Sequence, residues 1–101
     1  MIIKLDFLGN YDKYEYDFHD IIECRVNDIR SISTSLLAGT DLYYRPSIDY
    51  VEYVYIDIPD KTYDKYKIYI NELLEDMMNE LTIMSDVNLY KYRRSFNDFS
   101  N

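Results

Sequence analysis

His19–Gly39 reads HDIIECRVNDIRSISTSLLAG, and whether it forms one helix or two strands decides the fold of this 101-residue chain. Asp20 and Glu23 make a D-x-x-E pair of the capping-box kind, as at a helix start. Ile22, Val26, Ile29, Ile32 and Leu36 follow at helical spacing, and Ala38-Gly39 offers a glycine stop. Ser31–Ser35 (SISTS) opposes this reading, because hydroxyl side chains compete for backbone groups and β-branched ones lose rotamer freedom in a helix. Asn27-Asp28 would then turn a hairpin between IIECRV and IRSISTS. The helix over 20–38 is the preferred reading. The hairpin would make the protein a mostly-β layer covered by one long helix.

Upstream, Met1–Leu8 (MIIKLDFL) reads as a strand and Gly9-Asn10 as a turn. Asp12–Phe18 alternates, with Tyr14, Tyr16 and Phe18 on one face and Lys13, Glu15 and Asp17 on the other, which predicts the second strand of a hairpin. Downstream, Asp41–Arg45 predicts a short strand, and Tyr50–Ile58 a strong one, rich in β-branched and aromatic residues and ended by Pro59. Thr62–Met84 carries the clearest helical stripe: Tyr63, Tyr66, Ile70, Leu73, Leu74, Met77, Leu81 and Met84. Val87–Phe96 reads as a last strand. The expectation is a single α+β domain over residues 1–101. Its small antiparallel sheet has about five strands, in the order ββαββαβ, with two helices packed on one face.

The composition bounds the class. Apolar residues make up 48% of the chain, enough for a packed core, and Gly and Pro number two each, which favours regular elements. The lone cysteine, Cys24, rules out an intrachain disulfide. The N-terminal sequence lacks the basic-then-apolar pattern of a signal peptide, and no apolar run is long enough to span a membrane. A soluble cytoplasmic protein is expected, in the host cytoplasm if the gene is phage-borne. Thirteen tyrosines accompany many Ile, Asn, Lys and Asp, all with A/T-rich codons, so a low-GC genome accounts for part of the tyrosine abundance but not for its placement.

No enzyme is expected. His19 and Cys24 are five residues apart, which on a helix places them on different faces, unsuited to a Cys-His pair. One Cys and one His do not make a zinc site, there is no D-x-D-x-D-G calcium loop, and no Gly-rich phosphate loop is present. Asp57 and Asp60 read as a strand end and a helix cap. Neither metal nor cofactor is expected.

Charge carries more information. The net charge is −8, which disfavours direct contact with nucleic acid or anionic lipid and suits a basic protein surface; solubility alone is the plainer explanation. Residues 41–89 hold eleven acids against four bases. The long helix is charged against its dipole, with Lys61, Lys65 and Lys67 near its start and Glu72, Glu75, Asp76 and Glu80 in its second half. Arg93 and Arg94 on the last strand would neutralise these acids if the fold brought them close. In DYVEYVYIDIPD (49–60) one strand face carries Tyr53 and Tyr55 between Asp49 and Asp57. Tyrosine offers contact area at low entropic cost and stacks on arginine.

The candidate partner-binding residues are Tyr53, Tyr55, Asp57, Glu72, Glu75, Asp76 and Glu80. The expected function is an acidic protein-binding module that acts as a nucleic-acid mimic. It would inhibit a nucleic-acid-handling protein, such as a nuclease, by occupying its basic surface. In composition alone, this is the character of anti-CRISPR-type and toxin-immunity inhibitors. The alternative is a self-assembling protein, at its simplest a homodimer, in which Tyr43, Tyr44, Tyr53 and Tyr55 are buried between copies.

Overall fold

The computed structural model describes residues 1–32, 41–46 and 51–93, with the backbone alone at 12, 41–46 and 51–52. The first strand, β1 (Ile2–Asp6), forms where expected. Ile3, Leu5 and, just beyond the strand, Phe7 are fully buried on one side, while Lys4 and Asp6 are only half-buried on the other. A turn follows in which Leu8 and Gly9 both take positive φ, and the Asn10 amide donates to the Phe7 carbonyl at 3.0 Å.

The chain then departs from the hairpin expected over 12–18. A 3-10 turn (Asp12–Tyr14) leads into helix α1 (Glu15–Ser31). The alternation of Tyr14, Tyr16 and Phe18 was short enough to fit either period. Burial follows the helical one: Phe18, Ile22, Val26 and Ile29 are fully buried, while Tyr16 is 84% exposed. Phe18 sits at the centre of an aromatic cluster with Phe7 (centroids 4.6 Å apart), Tyr11 (6.0 Å) and Tyr14 (5.5 Å). The Asp20/Glu23 pair lies inside this helix and does not start it. Through Ser31 the helical reading of 20–38 holds and the hairpin does not; residues 33–38 lie outside the described residues.

Strands β2 (Asp41–Pro46) and β3 (Val51–Asp57) are antiparallel neighbours, with a register shift between Arg45 and Pro46, where proline has no amide to donate. The expected strand at 50–58 is thus present, its first residue Tyr50 lying outside the described residues. The single long helix expected over 62–84 is two: α2 (Asp60–Lys65) and α3 (Lys67–Met84), broken at Tyr66, whose ψ is +28°. The last strand, β4, covers Asn88–Tyr92; of the expected 87–96, residues 94–96 lie outside the described residues.

Among the described residues the sheet has four antiparallel strands in the order β2-β3-β1-β4. This corrects the expected five strands in the order ββαββαβ. The class remains α+β, and the order β-α-β-β-α-β is the ferredoxin-like split βαβ arrangement. Ile3 faces Ile56 and Leu5 faces Val54 across β1 and β3, and this sheet face joins Phe18, Ile22, Val26 and Ile29 of α1 and Ile70, Leu74, Met77 and Leu81 of α3 in one core. Each fully buried aliphatic side chain contributes about 1.5–3 kcal/mol. The Met1 ammonium donates to the Ile58 carbonyl (2.8 Å) and pairs with Asp60, tying the start of β1 to the end of β3 and the start of α2.

Candidate functional site

Two surfaces remain once the core is formed. The first is the sheet face turned away from the helices. Pairing register sets it out in rows: Tyr55, Lys4 and Tyr90 are level across β3, β1 and β4, with Tyr53, Asp6 and Asn88 on one side and Asp57, Ile2 and Tyr92 on the other. The Lys4 ammonium lies 4.0 Å from the Tyr53 ring centroid and 5.8 Å from that of Tyr90. Tyr53 and Tyr55 pack edge to face at 6.3 Å and are half-buried, as is Asp57. The internal cation over these rings is the chain's own lysine, which supplies within the fold the cation–π chemistry expected of an external arginine.

The second surface is the outside of the helix pair. Together α1 and α3 contain nine acids and three bases. Some of this charge is answered locally. Arg25 on α1 donates to Asp28 (3.4 Å) and bridges to Glu80 on α3 (3.2 Å). Burial works against the Arg25 charge, but the two carboxylates outweigh it and raise its pKa. His19 contacts Glu23 at 2.7 Å. Glu72, Glu75 and Asp76 are exposed and, among the described residues, make no ion pair.

The expected neutralisation by the last strand falls elsewhere. Arg93 pairs with Asp64 on α2 at 2.6 Å, and its hydrogen bond holds the Asp64 carboxyl below the ordinary carboxylate range. Lys91 donates to Asn71 (3.0 Å), and Arg94 lies outside the described residues. The break at Tyr66 also revises the dipole argument. Lys65 lies in the last turn of α2, where a cation is favourable, so only Lys67 sits at the start of α3.

The seven candidate residues therefore do not form one site. Tyr53, Tyr55 and Asp57 are on the open sheet face; Glu72, Glu75, Asp76 and Glu80 are on the helix layer, on the other side of the molecule. Residues that the sequence reading missed complete each surface. On α3, Ile68 (79% exposed) and Ile83 (85%) share the outward side with Glu72 and Asp76, the four falling within about 80° of arc at about 100° per residue. Tyr69 is beside them, on the wall of a groove of about 490 Å3 at the α2–α3 break. The signal was present: Ile68 and Ile83 are the isoleucines of this segment that fall outside its core stripe. Lys4, Tyr90 and Tyr92 join the sheet face only through the strand order, which the sequence did not disclose.

Among the described residues, no cluster of three or more His, Cys, Asp or Glu could hold a metal, and no helix is long and apolar enough to cross a membrane. The sequence matches no family model, no curated protein and no solved structure.

Proposed function

We propose that the chain is an acidic, non-catalytic protein-binding module. It docks the outer surface of its helix layer onto the basic surface of a nucleic-acid-handling protein and inhibits it by occupying that surface. The observation that carries this reading is the exposed set Glu72, Glu75 and Asp76, without ion pairs among the described residues, on a helix layer with nine acids and three bases. At about 1.5 Å per residue, Glu72, Glu75, Asp76 and Glu80 follow one another along the α3 axis at about 4.5, 1.5 and 6 Å, a linear charge density of the same order as the roughly 3.4 Å of axis per phosphate of one DNA strand. Ile68, Tyr69 and Ile83 supply the apolar contact that fixes a docked partner, since screened charge alone steers more than it holds. The cytoplasm is the compartment where such a partner is met.

The test compares the native chain with a Glu72→Lys, Glu75→Lys, Asp76→Lys variant as bait in a low-GC bacterial lysate, at about 0.05 M and about 0.5 M salt. The expected result is a nucleic-acid enzyme held by the native chain, weakened at high salt and lost with the variant. The purified enzyme should then lose nucleic-acid binding as the native chain is added. Equal capture by both baits would overturn the reading.

A further inference from the structure

We propose that the open sheet face is a homodimer interface. Two copies stack sheet on sheet, with their tyrosines between the sheets and both helix layers turned outward. This concerns the other side of the molecule and does not rest on the basic-partner reading. Three observations carry it. First, charge is segregated. The net charge is −8, and nine acids against three bases on α1 and α3 account for most of it; on the open face the described charges are Lys4, Asp6 and Asp57. Two copies approaching helix to helix repel strongly, whereas approach through the sheet keeps the acids farthest apart.

Second, the face has the chemistry of an interface. Tyr90 and Tyr92 are 48% and 40% exposed, beside half-buried Tyr53 and Tyr55. Tyrosines give broad contact area and a hydroxyl for pairing at small entropic cost. Third, the face complements itself. A two-fold contact sets a patch against its own copy, so it needs both partners of each charge pair. Lys4 and Asp6 lie in neighbouring rows of β1, so an antiparallel copy related by an axis between those two rows sets each Lys4 opposite the other copy's Asp6. Such packing leaves the sheets about 10 Å apart. Strands of five to seven residues make a small patch, and a weak dimer is expected, with Kd of about 10–100 μM.

Sedimentation velocity on the full chain, from about 1 to about 300 μM, tests this across that range of Kd. A reversible dimer is expected. It should tighten between about 0.05 M and about 0.5 M salt, because salt screens the repulsion between two acidic copies. Tyr90→Asp should raise Kd about tenfold or more, and Lys4→Glu likewise, with circular dichroism confirming that each variant is folded. Asp76→Lys, on the helix side, should leave the dimer intact. A chain that stays monomeric at both salts overturns the proposal. So does a dimer that Asp76→Lys disrupts while Tyr90→Asp and Lys4→Glu do not.

Discussion

Leu8 and Gly9 take φ of +52° and +82°, and only one of them is glycine. A leucine in the left-handed region costs about 1–2 kcal/mol in contact between Cβ and carbonyl oxygen, and Leu8, 54% exposed, recovers little of this by packing. Asparagine tolerates that region, so Leu8→Asn should stabilise the protein by about 0.5–1 kcal/mol. Gly9→Ala, where an added Cβ meets open space, should cost about 1 kcal/mol from backbone strain alone. Urea melts of the two variants check both signs. At the opposite end of the chain Asp64 reports on Arg93. The carboxyl is held below its usual 3.8 by the guanidinium's hydrogen bond. Its contribution to stability is therefore present above pH 4 and is lost as pH falls through the lowered value. In Arg93→Gln, an NMR titration should find the Asp64 carboxyl returned toward 3.8, and the stability difference from the native chain should vanish in strong acid. A carboxyl still depressed in the variant would assign the effect to another group.

The helix α1 turns on one element-scale contest. Tyr14, Tyr16 and Phe18 alternate as a strand would, yet Phe18, Ile22, Val26 and Ile29 form an unbroken helical stripe into the core. A period of two carried over 14–18 is outvoted by a period of 3.6 carried over 18–29, and the sequence showed both. What tipped the balance lies outside the segment. Phe7, at the end of β1, and Tyr11, after the turn, pack against Phe18, so the chain must start its helix early to bring that ring inward. Phe18→Ala should cost about 3–5 kcal/mol by chemical denaturation, as expected for a buried aromatic. A cost below about 1 kcal/mol would mean that the cluster does not hold the helix start. The stripe from Tyr63 to Leu81 was legible because burial on one face enforces its period, and so was the inward face of β3. The break at Tyr66 was not, since the side-chain pattern continues through it and only the backbone departs. Nor was the strand order legible: antiparallel pairing of β1 with both β3 and β4 rests on contacts between residues about fifty or more positions apart in the chain.

At the scale of the molecule, the split βαβ order puts Tyr53, Tyr55 and Asp57 on the open sheet face and the α3 acids on the helix layer, so the expected Tyr–acid surface divides into two. The acids on α3 then pose an energetic question. Asp76 is exposed, without an ion pair among the described residues, and one helical turn from both Glu72 and Glu80. Each like-charged i,i+4 pair destabilises a helix by about 0.2–0.5 kcal/mol, and aspartate in a helix interior costs roughly 0.6 kcal/mol relative to alanine. Glu80 is excused from this reckoning by its bridge to Arg25, but Asp76 is not. Asp76→Ala should therefore stabilise the fold by about 1 kcal/mol in dilute buffer. The gain should fall toward about 0.6 kcal/mol at high salt, where screening removes the repulsive part and leaves the helix propensity. Glu80→Ala should instead destabilise, because Arg25, whose Nε is buried without a partner among the described residues, loses one of its two carboxylates. Thermal melts of both variants at two salt concentrations separate these effects. If the helix face binds a basic partner as proposed, the same Asp76→Ala substitution that stabilises the fold should weaken that binding. If Asp76→Ala destabilised the protein at low salt, Asp76 would be part of the fold's own support, and the acidic helix face would lose its strongest claim to be a binding surface.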